Sequence, residues 1–373
     1  MLTRILPVSD VGSAEGRAAI REAARMIRDG GLVAFPTETV YGLGANALDA
    51  RAVARIFEAK QRPLNDPLIL HVANPADLTD LTDLTAASDA ANLKSLVAVL
   101  TRAFWPGPLT LVLPRSRNVP PIVSAGRDTV AVRMPNHPVA QALIRAAGVP
   151  IAAPSANRFG HVSPTTAQHV LDDLDGRIDL VLDGGATPIG VESTVLDLTA
   201  APPRILRPGG VTREQIARAL ANIEQKLAAS DPQSLTDQSL RTMPLPSPGM
   251  LPSHYAPRAK LVLCRDTDSL LIRRADFAAR GLKTGLLILE SQRKACDNLH
   301  PQFVLGETLS DVARNLYAGL RALDGAGVDV ILATQAPRSG LGEAIADRLA
   351  RAAAKAVETE GNRDHDGLGQ TAP

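Results

Sequence analysis

The spacing of apolar residues predicts the order of strands and helices along most of the chain. Between positions 13 and 29 the apolar residues recur on one helical face, and Gly30 with Gly31 then ends that helix. Short apolar or alternating runs predict strands, namely LVAF from position 32, LIL before His71, LTLVL from 109, TVAVRM from 129, PIAA from 150, IDLVL from 178, STVLDL from 193 and RIL from 204.

Two further helices are predicted from their N-terminal signals. In SPTTAQHVLDDL, Ser163 can cap the helix and Pro164 takes the favoured first position. In TREQIARALANIEQKL, Thr212 and Gln215 match a capping box. Because strands outnumber helices and the loops are rich in proline and glycine, we predict an α+β domain with a mixed, twisted sheet over residues 1–220.

The composition changes after this first domain. Residues 221–258 are rich in proline and polar residues without a sustained period, which predicts a semi-extended linker. Beyond it, the runs KLVLC, TGLLIL and VDVILAT alternate with helical spacing at 311–323 and 342–354, the rhythm of a small parallel α/β sheet over residues 259–357. We expect the polar tail, residues 358–373, to be disordered.

Charge and cysteine content exclude several classes of protein. Forty Lys and Arg against 39 Asp and Glu give a net charge of +1, so any phosphate binding must come from local clusters. Cys264 and Cys296 are far apart in sequence and have no metal-ligand spacing, which disfavours disulfides and a protein metal site. Without a signal peptide or eighteen consecutive apolar residues, the chain is expected to be cytoplasmic and not membrane-bound.

Familiar nucleotide and hydrolase motifs do not explain the sequence. GLGANA, residues 42–47, has the letters of a dinucleotide fingerprint, but PTETVY separates it from the preceding strand. Neither a P-loop pattern nor a G-x-S-x-G elbow occurs. The candidates that remain are polar residues at strand ends and turns.

Four of these candidates are basic or titratable groups near predicted strands. Lys60 and Arg62, after a helix that begins near Asp49, either complement the negative end of the helix dipole or bind phosphate. His71 either satisfies its own strand end or contacts a ligand. Arg133 lies within an apolar, alternating run, so an anionic partner is expected to meet it.

The remaining candidates have local explanations as well. Ser163 either caps its helix or helps to bind an anion there. Arg207, in ILRPGG, is either a surface arginine or a phosphate clamp. The hydroxyl and amide residues of APSAN and GVESTVLD fit turns and strand edges as well as a site, and they are Ser155, Asn157, Ser193 and Thr194.

Seven motifs in this order resemble one known family, the YrdC-like threonylcarbamoyl-AMP synthases. They are FPTETVYGLGANA, KQRPLNDPLILH, FWPGPLTLVL, TVAVRMPNHP, APSANRFGHVSPT, GVESTVLD and ILRPGG, over roughly residues 13 to 220. The SHYAP segment at 253–257 and the run GLGEAIADRLARAA resemble the longer members. The resemblance implies a YrdC-like domain, a linker and a small C-terminal Rossmann-like domain.

The resemblance also implies an activity and a set of site residues. The family combines ATP, L-threonine and bicarbonate into threonylcarbamoyl-AMP, with Mg²⁺ carried by the ATP phosphates, and supplies a tRNA threonylcarbamoyl transferase; contact with tRNA itself is possible but not required. Motif by motif, the residues expected around threonine are Thr39, His71, Arg133, Ala153 and Ser193. Those expected around ATP are Arg62, Asp66, Thr129, Ser155, Ser163, Arg207 and Tyr255, with Lys60 beside the phosphates and Lys60 and Arg62 as the catalytic cations.

One position departs from the family, and two other functions compete. Where members commonly have asparagine before Pro67, this chain has Asp66, an acid that would repel a triphosphate unless Mg²⁺ intervenes. A tRNA- or double-stranded-RNA-binding module would need no chemistry, and a hydrogenase-maturation carbamoyl transferase would need cysteine-rich zinc fingers.

We further expect the linker with Tyr255 to close over the site as a lid that excludes water. We also expect Arg133→Ala to impair catalysis without unfolding the protein.

Overall fold

The chain divides into two units. The computed structural model describes residues 2–221, 223, 227, 245–247 and 255–361. The first unit comprises Met1–Phe159 with Ser163–Met250, and the second comprises Gly160–Val162 with Leu251–Pro373. Most of the predicted linker therefore lies outside the described residues.

The first unit is built on one large sheet of strands and the helices that cover it. The strands are β1 (Arg4–Pro7), β2 (Val33–Pro36), β3 (Tyr41–Asn46), β4 (Ile69–His71), β5 (Leu109–Pro114), β6 (Thr129–Arg133), β7 (Ile151–Ala152), β8 (Leu180–Asp183), β9 (Thr194–Asp197) and β10 (Arg204–Arg207). The helices are α1 (Ala14–Arg28), α2 (Ala50–Lys60), α3 (Leu78–Leu81), α4 (Ala90–Phe104), α5 (Pro138–Ala147), α6 (Ala167–Leu174) and α7 (Arg213–Ala221), with short 3₁₀ turns at Pro75–Asp77 and Pro121–Ser124.

The strand order makes the sheet mixed, as predicted. It runs β1-β8-β2-β3-β7-β4-β6-β5-β9-β10 among the described residues. The β4/β6 and β5/β9 pairs are parallel, whereas β6/β5 and β9/β10 are antiparallel. Residues opposite each other in paired strands project from the same face, so this register decides which side chains meet.

The two faces of the sheet carry separate cores. One face packs against α2, α4, α6 and α7 through a cluster that includes Leu43, Leu70, Leu111 and Val132. The other face packs against α1 and α5 only toward one end, through residues such as Val33, Phe35 and Ile151. At the other end of that second face lies a small cluster made of Ile69, Val112, Ala131, Val195 and Leu206, all of them from strands β4, β5, β6, β9 and β10.

Local signals explain the helix starts. Ser13 accepts from the Gly16 N–H at the start of α1, and Asp49 accepts from the first turn of α2. The predicted capping box before α7 is present, with the Thr212 N–H and the Gln215 side chain 2.8 Å apart.

The predicted start of the helix at Ser163 is wrong. Helix α6 begins at Ala167, and its cap is Thr166, whose hydroxyl accepts from the His169 N–H. The Pro164 carbonyl instead accepts a 2.9 Å hydrogen bond from the Tyr41 N–H beside the sheet. This long-range bond holds the segment extended for one turn longer than the local pattern indicates.

The second unit contains a four-stranded parallel sheet, which confirms the predicted β-α alternation. Its elements are β11 (Lys260–Cys264), α8 (Thr267–Ala279), β12 (Thr284–Ile288), a 3₁₀ turn (Glu290–Gln292), β13 (Gln302–Val304), α9 (Leu309–Gly325), β14 (Val330–Thr334) and α10 (Leu341–Gly361). The strand order is β11-β14-β12-β13. Helix α10 extends four residues into the tail predicted to be disordered; residues 362–373 lie outside the described range.

None of the helices in the described part of the chain is long and apolar enough to cross a membrane.

Candidate active site

The sheet register brings several predicted site residues onto one face. His71 and Arg133 are paired at the ends of the parallel strands β4 and β6, and Thr110 of β5 lies opposite Arg133 on its other side. Alternation along the strands adds Thr129, Ala153, Ser193 and Arg207 to the same face. The polar groups therefore lie on the face that carries the small apolar cluster of β4, β5, β6, β9 and β10, whereas Ala153 belongs to the part that packs against α1 and α5.

Arg133 is buried and meets an anion, as its sequence context predicted. Its Nη2 lies 2.7 Å from Glu38 Oε1, and its Nη1 donates to Thr39 Oγ1 over 2.9 Å. The Thr39 hydroxyl is also 2.8 Å from that of Thr37. The turn between β2 and β3 thus fixes the guanidinium from one side, and it supplies Glu38, a residue that the sequence interpretation did not single out.

His71 is buried beside Arg133 as a neutral imidazole. Its Nδ1 lies 3.2 Å from the Ile69 carbonyl, and its ring meets Phe35 edge-on with the ring centres 6.2 Å apart. Burial, with a further contribution from the positive charge of Arg133, lowers the pKa of His71 to about 3. The strand-end role is therefore present, and the same side chain lies beside Arg133 on the candidate site face.

Arg207 and Ser193 form a second hydrogen-bonded group on this face. Arg207 Nη2 donates to the Ser193 carbonyl at 3.0 Å and to its hydroxyl at 3.2 Å. The Ser193 hydroxyl is 2.8 Å from that of Thr110. Arg207 is buried, so the alternative of a surface arginine is wrong.

Lys60 is fully buried at the end of α2 and turns away from its own helix. Its ammonium donates to the carbonyls of Ser155 and Asn157. Burial, reinforced by the charge of Arg62, lowers the pKa of Lys60 well below its usual value. The Lys60 ammonium is directed at the Ser155–Asn157 turn. An interaction with the dipole of its own helix therefore does not explain its position.

Asp66, the residue that departs from the family pattern, lies against Arg62. Asp66 Oδ1 is 2.9 Å from Arg62 Nη2, and Arg62 also donates to the main-chain carbonyls of Asp66 and Pro67, at 3.1 and 2.8 Å. Burial raises the pKa of Asp66, opposed by the charges of Arg62, Lys60 and Arg207. The carboxylate is thus surrounded by cations, which reduces the repulsion that it would otherwise exert on a phosphate.

Ser163 is buried and contacts a second carboxylate that the sequence interpretation missed. Its hydroxyl donates to Glu192 Oε1 over 2.7 Å, and both side chains are nearly inaccessible. Glu192 precedes Ser193 and Thr194 in the GVESTVLD motif. The only sequence signal for Glu38 and Glu192 was their place inside two of the seven motifs.

The other predicted residues are placed as follows. Ala153 is buried and its N–H donates to the Ile69 carbonyl over 2.9 Å, while Ser155 bridges to Gly42 and Thr129 begins β6, half-buried. Tyr255 belongs to the second unit, where its ring stacks on Tyr317. Within the described residues, no cluster of three or more His, Cys, Asp or Glu side chains could hold a metal ion.

Comparison with known proteins identifies the family. A model described as telomere recombination, of the Sua5/YciO/YrdC group, matches residues 25–209, and one described as the threonylcarbamoyl-AMP synthase C-terminal domain matches residues 211–354. The threonylcarbamoyl-AMP synthase of Pyrococcus abyssi is 46% identical over 338 residues, which cover 89% of this chain and 93% of that protein. The chain belongs to the threonylcarbamoyl-AMP synthase family.

Further members agree with this membership. The Bacillus subtilis synthase is 44% identical over 344 residues, 90% of this chain and 92% of that protein. The solved structure of P. abyssi Sua5 complexed with L-threonine has a TM-score of 0.82 at 45% identity and covers 94% of this chain and 98% of its own. The predicted family and fold class are therefore confirmed, and as a threonylcarbamoyl-AMP synthase the chain is a nucleotidyltransferase.

The Arg133–Glu38 contact generates a prediction about stability in this synthase. Arg133→Met leaves Glu38 buried without its cation, and we expect a loss of about 3–5 kcal/mol in the free energy of unfolding. Adding Glu38→Gln should recover most of the loss, as measured by urea unfolding of the wild type, both single variants and the double variant; strictly additive losses would show that the two groups are not coupled.

His71 generates a prediction about pH. Its pKa is lower in the folded protein than in the unfolded chain, so the unfolded chain binds more protons between about pH 6.5 and 3. The contribution of His71 to stability is therefore complete above about pH 6.5 and falls with pH, by about 2 kcal/mol at pH 5. Urea unfolding at pH 7.5 and 5 should show a smaller decrease for His71→Gln than for the wild type, and equal decreases would exclude this role.

Proposed function

We propose that this synthase condenses L-threonine, bicarbonate and ATP into L-threonylcarbamoyl-adenylate, pyrophosphate and water. The observation that carries the proposal is the buried set of cations, Arg133, Lys60, Arg62 and Arg207, at the sheet face and loops that also hold His71 and Ser193. The P. abyssi relative solved with L-threonine supports threonine as a substrate.

Threonine fits the part of the face around Arg133. The guanidinium is held by Glu38 and Thr39 and can receive the threonine carboxylate without reorganisation. The threonine amine would lie beside neutral His71 and the small Ala153, neither of which carries a charge. The Ser193 hydroxyl can orient a polar group of the threonine. The apolar cluster beneath them suits the threonine methyl group.

ATP fits the neighbouring cations. Lys60, Arg62 and Arg207 would face the phosphates, with Ser163, Ser155, Thr129 and Asp66 beside the nucleotide, and Mg²⁺ enters as part of the substrate. Tyr255 was also expected to contact ATP, but its ring is stacked on Tyr317 and has the Arg348 guanidinium 5.0 Å from its centre. The Tyr255 ring could stack on adenine only if its contact with the Tyr317 ring were broken.

The chemistry needs positioning and charge neutralisation. The threonine amine and bicarbonate give a carbamate and water; a carbamate oxygen then attacks the α-phosphorus, and the bond to pyrophosphate breaks. Negative charge increases on the departing pyrophosphate, where Lys60 and Arg62 would stabilise it. No covalent nucleophile is required, which agrees with the absence of hydrolase motifs from the sequence.

The product is a mixed anhydride that water destroys, so the site must close. We propose that the linker acts as the lid; most of it lies outside the described residues, but the Leu245 N–H donates to the Asn65 carbonyl over 2.9 Å, beside Arg62 and Asp66. ATP with threonine should then protect residues 230–258 from proteolysis, and unchanged cleavage would disprove the lid. The product would pass, in the cytoplasm, to a tRNA threonylcarbamoyl transferase.

Pyrophosphate release tests the function. The wild type should release pyrophosphate from Mg-ATP only when both threonine and bicarbonate are present. If no pyrophosphate is released with both of them present, the result would favour an RNA-binding module. Lys60→Met should lower kcat/KM at least about a hundredfold, the usual effect of removing one donor from developing negative charge. The matched control is Arg55→Met on the same helix, since Arg55 is half-exposed and pairs with Asp179; circular dichroism should show that each variant is folded.

A further inference from the structure

A three-residue segment of the first unit's sequence belongs structurally to the second unit. Gly160–Val162, here named the strap, groups with residues 251–373, whereas Phe159 before it and Ser163 after it belong to the first unit. The strap thus leads directly into Ser163, one of the residues proposed to lie beside ATP. Whatever holds the strap constrains that serine.

Two hydrogen bonds from the second unit hold the strap. The Ala256 N–H donates to the Gly160 carbonyl over 2.9 Å. Arg321 Nη2 donates to the Val162 carbonyl. Val162 is buried, and Gly160 has a φ of +80°, a conformation that favours glycine.

One face of helix α9 supports both of these bonds. Tyr317 and Arg321 lie one turn apart on that helix and therefore project to the same side. Tyr317 stacks on Tyr255 with ring centres 5.8 Å apart at 25°, and Arg348 of α10 lies over the Tyr255 ring. Tyr255 has a φ of +61°, and this stack fixes the backbone from which Ala256 donates.

The strap is also anchored at both ends to groups of the candidate site. The Phe159 N–H donates to the Lys60 carbonyl over 2.8 Å, and the Ser163 hydroxyl donates to Glu192 over 2.7 Å. A change in the strap's shape would therefore shift Phe159 and Ser163, and with them their hydrogen bonds to Lys60 and Glu192. A segment that is not ordered before the ligand binds must become ordered on binding, and this loss of conformational entropy weakens the affinity.

We propose that Arg321, together with the Tyr255–Tyr317 stack, positions Ser163 for ATP through the strap. Arg321 and Tyr317 are positioning residues, since they act through Gly160–Val162. This gives the second unit a role in nucleotide affinity, with no role in threonine binding. The inference rests on the proposed function, because it assumes that ATP binds beside Ser163.

The test compares Arg321 with a neighbouring arginine. Arg321→Met should raise hydrogen exchange in a peptide covering residues 159–163 and weaken Mg-ATP binding roughly tenfold, equivalent to about 1.4 kcal/mol. The KM for threonine should stay within about twofold, and Arg321→Lys, which keeps a charged donor, should recover part of the ATP affinity. The control is Arg314→Met on the same helix, because Arg314 is half-exposed and pairs with Asp311.

A second variant disturbs the strap from within. A Cβ added at Gly160 would meet nothing within 4 Å, so Gly160→Ala acts only through its positive φ. It should reproduce the loss of ATP affinity, and the double variant with Arg321→Met should lose less than the sum of the two. This variant decides the question if Arg321→Met does not fold.

Each outcome has a defined meaning. Unchanged hydrogen exchange in both variants would show that the strap is not held, and faster exchange with unchanged ATP affinity would show that holding it does not matter; either overturns the inference. An equal rise in the KM for threonine would also overturn it. A wild type that neither binds ATP nor releases pyrophosphate would refute the proposed function itself, and the positioning role with it.

Discussion

Buried positive charge is the constraint on which the first unit depends. Four cationic side chains lie out of contact with water around one sheet face and its loops, and a buried cation is tolerated only where anions or carbonyl oxygens meet it. Arg133 has Glu38, Arg62 has Asp66, and Lys60 has two main-chain carbonyls. The register of β4, β5 and β6 and the turn before β3 must be accurate for these contacts to form.

The same contacts prepare the site for anionic substrates. Each guanidinium is already held in place, so binding a carboxylate or phosphate requires little reorganisation. Main-chain carbonyls and the Ser193 hydroxyl are among the partners of Lys60 and Arg207, and these neutral groups compete more weakly with a phosphate than carboxylates would. The paired carboxylates limit the net positive charge, which agrees with a chain whose formal charge is only +1.

Local sequence predicts elements better than it predicts contacts. Helix α1, the capping box before α7 and the parallel sheet of the second unit follow from spacing and caps. Strand β3 was missed because two glycines interrupt its apolar alternation, which places Tyr41, Leu43 and Ala45 in the core; its Gly44 is required since a Cβ there would lie 2.7 Å from Ile151 and Phe35. The start of α6 and the partners Glu38 and Glu192 depend on hydrogen bonds and ion pairs between residues distant in sequence. Arg133 was expected to meet an anion, but sequence spacing could not identify which one.

The most direct test of the account is a crystal structure of the protein with L-threonine and a non-hydrolysable ATP analogue bound with Mg²⁺. The account predicts the threonine carboxylate within hydrogen-bonding distance of Arg133 and the phosphates within reach of Lys60, Arg62 and Arg207. Threonine or the triphosphate bound elsewhere, with the Arg133–Glu38 and Lys60–carbonyl contacts unchanged and inaccessible, would contradict it and leave these buried cations with a purely structural role.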